Sequence, residues 1–197
     1  MTPYINDKDF TDYIHKNLAI PKIYNLLKWT EEIIDKSFAE EIDISIGIDY
    51  IFKDANGKLL TVQERFRESK YQQYSDFTIR YRRYNNIDSS RKKSEFYKMK
   101  ADYFTYGITN CSKSNINQCT DFIKYAVIDL RKVYRMIDDG LIIISDNRKN
   151  NCEIVDNKII CPVKYNSDGS SSFFPVEIGY LVKIWGDEII IKQKGFL

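Results

Sequence analysis

The order of helical and strand-like patterns along the chain constrains its fold more than any other feature of the sequence. From Pro21 to about Glu41 the apolar residues recur at helical spacing, whereas Ile42 to Phe52 alternates with period two, as strands do. Leu59 to Arg67 alternates in the same way and follows a turn cluster, Asp54 to Lys58. The pattern therefore predicts a leading helix and then a β-hairpin made of the two alternating segments.

Further along the chain the same two patterns predict additional strands and a second long helix. Phe77 to Tyr84 and Ala101 to Ile108 alternate as strands, with a polar turn at 85–92 and one or two helical turns at 92–99 between them. Apolar residues at helical spacing predict a helix over Thr120–Asp139, which Gly140 would end.

The remaining segments are short and strand-like. They are Leu141–Ser145, the two arms Cys152–Val155 and Lys158–Lys164 of a hairpin around Asp156-Asn157, and a strand-rich tail from Phe173 to Lys192. A helix, three or more strands, a second helix and further strands are typical of an α/β or α+β domain rather than a helical bundle or a sandwich.

The length and composition fit one domain with a core of its own. A chain of 197 residues, 43% of them hydrophobic, lies in the usual size range of a single domain. We assign 1–197 to one domain, with the core over 20–145 and a β-rich C-terminal extension over 146–197. No apolar run approaches the ~18 residues of a membrane helix, and the polar N-terminus lacks the apolar stretch of a signal peptide. We therefore expect a cytoplasmic protein without a membrane partner.

Several catalytic chemistries are excluded because their residues or motifs are missing. His15 is the only histidine, and the chain has no G-x-S-x-G, no G-x-x-x-x-G-K-[ST] and no G-x-G-x-x-G. Cys111 and Cys119, like Cys152 and Cys161, are too far apart in sequence for a zinc knuckle. In a cytosolic chain we expect all four cysteines to be reduced thiols.

The predicted hairpin carries the residues that a metal-dependent phosphodiesterase needs. Such an enzyme holds a divalent cation through hard oxygen ligands and places a positive charge near the phosphorus. Asp49 supplies a carboxylate on the first strand, and on the second strand Gln63 and Arg65 share one face because side chains alternate with period two. Glu64 lies on the opposite face.

The spacing Gly47-Ile48-Asp49, a turn and then Val62-Gln63-Glu64-Arg65 resembles the PD-(D/E)xK nuclease superfamily, which has the restriction-endonuclease-like fold. It is most similar to the Mrr-like branch, in which a G-x-D strand precedes V-Q-x-K. The resemblance covers the leading helix, the hairpin 42–67 and the elements through residue 145. It implies a central mixed β-sheet flanked by helices, Mg²⁺ or Mn²⁺ as cofactor, and DNA as substrate.

The resemblance also implies roles for individual residues. Asp49 would be the metal-binding carboxylate, Gln63 the second motif position and Arg65 the position of the motif lysine. Glu31, at the edge of the leading helix, matches an additional acidic metal ligand of many members. Glu64 is an alternative ligand if the strand is bulged or its register differs, in which case Gln63 faces the core.

Two departures from the family pattern keep other interpretations open. Arg65 holds a charge but does not readily exchange a proton, and Gln63 is neutral, so fewer negative charges are available to hold Mg²⁺. The competing structural interpretation is an ordinary hairpin in which Asp49 ends a strand and Gln63–Arg67 is a solvated edge.

A basic and tyrosine-rich segment follows the hairpin. Residues 80–100 hold eight basic residues against Asp88 and Glu95. On the third strand, Thr78, Arg80 and Arg82 should share one face, and Arg83 the other. Basic side chains bind phosphate oxygens and tyrosines stack on bases, although a soluble rim would have a similar composition. The residues predicted to bind the nucleic-acid backbone are Arg67, Arg80, Arg82, Arg83, Lys98 and Lys100.

These features together predict a Mg²⁺-dependent DNA endonuclease. Its catalytic residues would be Asp49, Gln63, Glu64 and Arg65, and its metal ligands would come from Asp49, Glu31, Gln63 and Glu64. Enzymes that cut both strands usually need two active sites, so the resemblance also implies a homodimer. The alternative is a catalytically inactive domain of the same fold that acts in nucleic-acid binding or protein interaction.

Overall fold

The computed structural model describes residues 3–83, 94–146, 151–167 and 169–197, and over these ranges the chain is mixed α+β with a central sheet of six strands. Helix α1 has three consecutive parts: an α-helix Pro3–Ile14, π-helical turns His15–Tyr24 and a last α turn Asn25–Leu27. The other α-helices are α2 (Lys36–Ile46), α3 (Glu95–Lys98), α4 (Leu130–Asp138) and α5 (Ile178–Trp185). Short 3₁₀ turns cover Ser69–Tyr71, Lys113–Gln118 and Asp187–Ile189.

The strands of the described residues belong to three sheets. In chain order they are β1 (Thr30–Glu31), β2 (Tyr50–Lys53), β3 (Leu59–Arg67), β4 (Asp76–Arg83), β5 (Tyr103–Thr109), β6 (Phe122–Asp129), β7 (Ile142–Ser145), β8 (Glu153–Val155), β9 (Lys158–Pro162), β10 (Lys164–Tyr165), β11 (Ser171–Glu177) and β12 (Ile190–Lys194). The central sheet has the order β1-β2-β3-β5-β6-β12, and the two smaller sheets have the orders β10-β11-β4 and β7-β9-β8.

The central sheet is mixed, because β3 and β5 are parallel and its other neighbouring pairs are antiparallel. Its two faces pack into separate apolar clusters, one against α1 and one against β4, α4 and α5. On β3, Val62 and Phe66 belong to the cluster on the α1 side. Gln63 and Arg65 therefore point to the other side of the sheet. The predicted mixed α and β class is confirmed.

The N-terminal third departs from the prediction, because neither the helix 21–41 nor the strand 42–52 forms as one continuous element, although Tyr50–Lys53 does pair with β3 as an antiparallel hairpin. Pro21 lies inside α1, which ends where Lys28 takes a left-handed conformation with φ of 58°. A new helix, α2, begins at Asp35, whose carboxylate accepts hydrogen bonds from the N–H groups of Ser37 and Phe38. This helix continues through the alternating residues as far as Ile46. Ile42 and Ile46, four residues apart, pack on the core from one face of this helix, and Ile44 is exposed, so the same apolar residues also fit a helix.

The predicted helix 120–139 is also wrong in its first half. Strand β6 occupies Phe122–Asp129, and α4 begins only after Asp129, whose side chain accepts from the N–H of Arg131. Strand β6 lies inside the central sheet and contributes Ala126 and Ile128 to one apolar cluster and Tyr125 and Val127 to the other, so apolar side chains lie on both of its faces. A run of this kind has no period-two signal and resembles a buried helix.

Several other predictions are confirmed, and one about the cysteines is wrong. Strands β3 and β5 and the hairpin of β8 and β9 match their predicted segments closely, while the predicted turn at 85–92 lies outside the described residues. Cys111 and Cys119 form a disulfide around the 3₁₀ turn Lys113–Gln118, against the expectation of reduced thiols. None of the helices in the described ranges is long and apolar enough to cross a membrane.

Candidate active site at the open edge of strand β3

The site lies where strand β2 stops and leaves one edge of β3 unpaired. Strand β2 pairs with β3 only as far as Val62, which lies opposite Tyr50. Asp49 continues along this edge: its N–H donates to the carbonyl of Val62 at 2.9 Å, and its Oδ2 accepts the N–H of Glu64 at 2.7 Å. A carboxylate therefore takes the place that a strand carbonyl would have, directly beside the Gln63–Arg65 segment.

Gly47 determines how the chain reaches this edge. It ends α2 in the left-handed conformation, with φ of 62° and ψ of 49°, instead of belonging to a strand as predicted. A Cβ atom at this position would lie 3.1 Å from Cα of Met99 and 3.5 Å from Oε1 of Gln63. The turn after α2 thus needs glycine both for its backbone conformation and for the close approach of α3.

Gln63 and Asp49 converge, as the sequence predicts. Nε2 of Gln63 donates to Oδ2 of Asp49 at 2.7 Å. The buried Oε1 of Gln63 accepts no hydrogen bond from any described residue. Asp49 is enclosed at the wall of a cavity, and desolvation raises the pKa of its carboxyl well above the usual value, with the carboxylates of Asp43, Glu64 and Glu95 adding to the effect. The site therefore has an enclosed carboxylate and an unused amide oxygen side by side.

Glu64 projects to the other face of β3, toward α1, and is engaged there. Both of its carboxylate oxygens lie 3.0 Å from Nδ1 of His15, and the hydroxyl of Tyr24 donates to Oε1. Nε2 of His15 lies 3.3 Å from Oε2 of Glu31. Burial alone would lower the pKa of His15, but the charge of Glu64 and hydrogen bonds to both carboxylates raise it to about 9. A protonated His15 therefore links the two glutamates.

This network shows where two of the predicted metal ligands lie. Glu31 lies in strand β1 rather than on the leading helix, and its contact is His15 instead of Asp49. Glu64 borders the cavity, but its side chain is fully buried and its carboxylate is bound by His15 and Tyr24. Strand β3 keeps the register in which Gln63 shares a face with Arg65, so Gln63 is the residue beside Asp49.

Arg65, at the position of the motif lysine, is held by an ion pair. Its guanidinium donates to both carboxylate oxygens of Glu95 and, at 2.8 Å, to the carbonyl of Thr78. Glu95 also accepts the main-chain N–H of Arg80 at 2.9 Å. Burial would raise the pKa of Glu95, but the charges of Arg65 and Arg80 lower it. Arg65 therefore joins β3, β4 and α3 and does not project as a free cation.

A cavity of about 420 Å³ opens beside Asp49. Its wall includes Asp43, Asp49, Gln63, Arg80, Arg83 and Lys98. Nζ of Lys98 donates to the carbonyls of Asp43 and Ile44 at 2.6 and 3.0 Å, near the C-terminal end of α2, and burial lowers the pKa of this ammonium group. The carboxylate and the amide thus share the lining of one cavity with basic side chains.

A β-bulge decides which arginines of β4 reach the cavity. The pairing of β4 with β11 shifts by one residue, so that Arg80 lies opposite Phe173 and Arg82 opposite Ser172, with Tyr81 as the extra residue. The predicted shared face of Arg80 and Arg82 is therefore wrong. Arg83 lines the cavity with Arg80, and Arg82 forms an ion pair with Asp146.

The residues predicted to bind the nucleic-acid backbone are thus divided. Arg80, Arg83 and Lys98 line the cavity. Arg67 donates to Oγ1 of Thr78 at 3.2 Å, and Lys100 is exposed outside the lining. The charged residues that sequence reasoning missed are His15, Asp43 and Glu95. His15 could have been found from its position in an apolar helical stretch. A histidine at such a position is expected to be buried and to need a hydrogen-bonding partner.

Comparison of the chain with protein-family models, with curated proteins and with solved structures found no match. What the site can do therefore follows from its own chemistry. The same cavity is lined by hard oxygen donors and by guanidinium groups, a combination that suits a phosphate ester with an attached cation.

Proposed function

We propose that the protein is a Mg²⁺-dependent endonuclease of restriction-endonuclease-like fold that hydrolyses phosphodiester bonds of DNA. The observation that carries the proposal is the Asp49 carboxylate at the open edge of β3, hydrogen-bonded to Gln63, in a cavity that also contains Arg80 and Arg83. The mixed central sheet with helices on its faces supports the proposed fold.

The donor set near Asp49 fits a magnesium ion that keeps most of its water. No group of three metal-binding side chains, counting His, Cys, Asp and Glu, occurs among the described residues. Mg²⁺, however, is usually bound by one or two carboxylates together with water and substrate phosphates. Asp49 and the unpartnered Oε1 of Gln63 would hold it, and the mutual repulsion of Asp49 and Asp43 would be relieved. Mn²⁺ takes the same ligands.

The other side chains of the cavity would bind and orient the substrate. When bound, Mg²⁺ would withdraw charge from the phosphoryl oxygen and lower the pKa of the attacking water. Arg80 and Arg83 would offer forked donors to phosphate oxygens, and Lys98 a point charge. Arg65, engaged by Glu95, would keep β3 and α3 in place instead of touching the substrate.

The direct test is cleavage of supercoiled plasmid by the purified protein with Mg²⁺ or Mn²⁺, with and without EDTA. Wild type should nick the plasmid only with free metal, and Asp49→Asn should abolish cleavage. Asp138→Asn makes the same charge change at an exposed position of helix α4 and should cleave at the wild-type rate. Cleavage by Asp49→Asn at the wild-type rate would show that the assigned site is wrong.

A metal titration without substrate gives an independent measurement. Saturating Mg²⁺ should raise the midpoint of thermal unfolding of wild type but not of Asp49→Asn, because a ligand at a hundred times its Kd stabilises by about 2.7 kcal/mol. Gln63→Glu should tighten Mg²⁺ binding, since it adds a carboxylate beside Asp49. An equal midpoint with and without metal would contradict a metal site.

A catalytically inactive domain that binds nucleic acid is the second candidate. The engagement of Arg65 by Glu95 and the neutral Gln63 favour it, since both leave proton transfer without a side-chain agent. It predicts DNA binding that depends on Arg80 and Arg83 without metal-dependent cleavage. For the active enzyme we further propose a cytoplasmic location and a homodimer, because cutting both strands takes two sites.

A further inference from the structure

The arginines of strand β4 that line the cavity have features of their own. The bulge at Tyr81 brings Arg80 and Arg83 to the same wall, although their separation in a regular strand would place them on opposite faces. Both side chains are half-buried. This local irregularity brings two guanidinium side chains to one cavity, whose lining also contains carboxylates.

Neither Arg80 nor Arg83 forms a salt bridge within the described part of the chain, although the carboxylate of Glu95 lies close enough to act on the charge of Arg80. The Glu95 carboxylate is paired with the Arg65 guanidinium, and from Arg80 it accepts only the main-chain N–H. No described side chain accepts a hydrogen bond from either guanidinium, and Nε of Arg83 is buried without a partner. Burial, and then the charge of Arg65, lower the pKa of Arg80 to about 10.

Such an arrangement is unfavourable for the protein alone. A guanidinium that loses water and gains no anion costs free energy, which is why enclosed charges are normally paired. Asp49, which lines the same cavity, accepts hydrogen bonds from Gln63 and the Glu64 main chain. An anion that entered between Arg80 and Arg83 would supply the missing partner for both, and planar forked donors match phosphate oxygens well.

We propose that Arg80 and Arg83 form a phosphate-binding subsite, separate from Asp49 and Gln63, for a phosphate group next to the one that is cut. The assignment of this phosphate to a polynucleotide rests on the proposed function. Its source is either an internal phosphodiester or a terminal phosphate monoester. The cavity volume of about 420 Å³ lies within the usual range of small-ligand sites, which is ~300–1,000 Å³.

The test measures binding of a fluorescent single-stranded oligonucleotide to the full chain in EDTA, with and without a 5′-phosphate on the oligonucleotide. Arg80→Gln and Arg83→Gln should each weaken binding about tenfold, the usual effect of losing one charge-assisted hydrogen-bonding partner. Each should also flatten the log–log salt dependence by about 0.7. Arg83→Lys keeps the positive charge but lacks the planar pair of guanidinium donors, so it should bind with intermediate affinity.

Arg82→Gln is the matched control, because Arg82 lies on the same strand but pairs with Asp146 outside the cavity lining. Its affinity should stay within about twofold of wild type, since a surface ion pair contributes little. Equal losses for Arg82→Gln and the two cavity variants, or no loss in the latter, would overturn the subsite. Circular dichroism and thermal unfolding show whether each variant is folded.

The two oligonucleotides distinguish the source of the phosphate. A wild-type preference for the 5′-phosphorylated strand that disappears in Arg80→Gln and Arg83→Gln identifies a terminal monoester, and equal binding of both strands identifies an internal phosphodiester. Plasmid cleavage separates this proposal from the nuclease. Cleavage with unaffected binding in the arginine variants refutes the subsite alone, and arginine-dependent binding without cleavage refutes the nuclease alone.

Discussion

At the scale of single residues, Asp49 has an unusual electrostatic position. Its hydrogen-bond donors are the neutral Gln63 amide and the Glu64 main chain, while carboxylates lie around it. An ionised Asp49 is therefore unfavourable until a cation arrives. A residue that lowers stability in the free protein and gains a partner from a ligand is typical of a binding site rather than of a structural ion pair.

Asp49→Asn should stabilise the free protein near neutral pH. The folded-state pKa of Asp49 is raised, so between the unfolded and folded pKa values the native state binds more protons and stability falls as pH rises. Asparagine is uncharged but can still accept the same hydrogen bonds. The stability of the variant should therefore not fall as pH rises through this range. Urea unfolding from pH 4 to 8 without metal measures it. A variant less stable than wild type throughout that range would disprove the electrostatic account.

Gly47→Ala should impair both folding and the site. The left-handed backbone costs a non-glycine residue about 1–2 kcal/mol, and the new Cβ meets the main chain at Met99. Gly57→Ala is the matched control, since Gly57 also has positive φ but nothing lies within 4 Å of its Cβ. Both variants should lose unfolding free energy in urea, while only Gly47→Ala should reduce Mg²⁺ affinity. Equal metal affinities would contradict the role of Gly47.

At the scale of elements, the His15 network holds helix α1 against strand β3. His15 stacks on Tyr50 with ring centroids 3.5 Å apart, and its two nitrogens contact Glu64 and Glu31. The network thereby joins α1, β1, β2 and β3. It also keeps Glu64 on the α1 side, so that Gln63 stays beside Asp49.

His15→Gln should destabilise the protein by about 3–5 kcal/mol, the usual effect of removing one partner of a buried ion pair. The folded-state pKa of His15, about 9, exceeds the unfolded value of 6.5, so its contribution is complete below pH 6.5 and is lost as pH rises through 9. Urea unfolding at pH 6, 8 and 10 should show this decline in wild type only. Exposed Lys16→Gln is the control, and a pH-independent wild type would refute the network.

At the scale of the whole molecule, the position of the basic residues limits how DNA can be held. Arg80, Arg83 and Lys98 line the cavity, whereas Arg82 is paired with Asp146. If Arg80, Arg83 and Lys98 neutralise three phosphates, log affinity for duplex DNA should fall against log salt with a slope of about −3. Fluorescence anisotropy from low to moderate salt measures it. A slope near zero would contradict phosphate binding in the cavity.

Local chemistry in the sequence predicted part of this fold correctly. The hairpin of β8 and β9 depends on Asp156 and Asn157, which both take positive φ in the turn between its arms. Residue types alternate along strand β3 because successive side chains point to its two faces, which have different environments. In both cases the information lies within a few residues, so a pattern in the sequence is sufficient.

The tertiary structure alone decided the roles of the site residues. Sequence placed Asp49 and Gln63 together, because a hairpin brings them close, but left open whether Gln63 or Glu64 faces Asp49. That choice depends on His15, 49 residues from Glu64, and the engagement of Arg65 depends on Glu95, 30 residues away. Buried charges require partners, and the packing of distant elements determines which partner each charge meets.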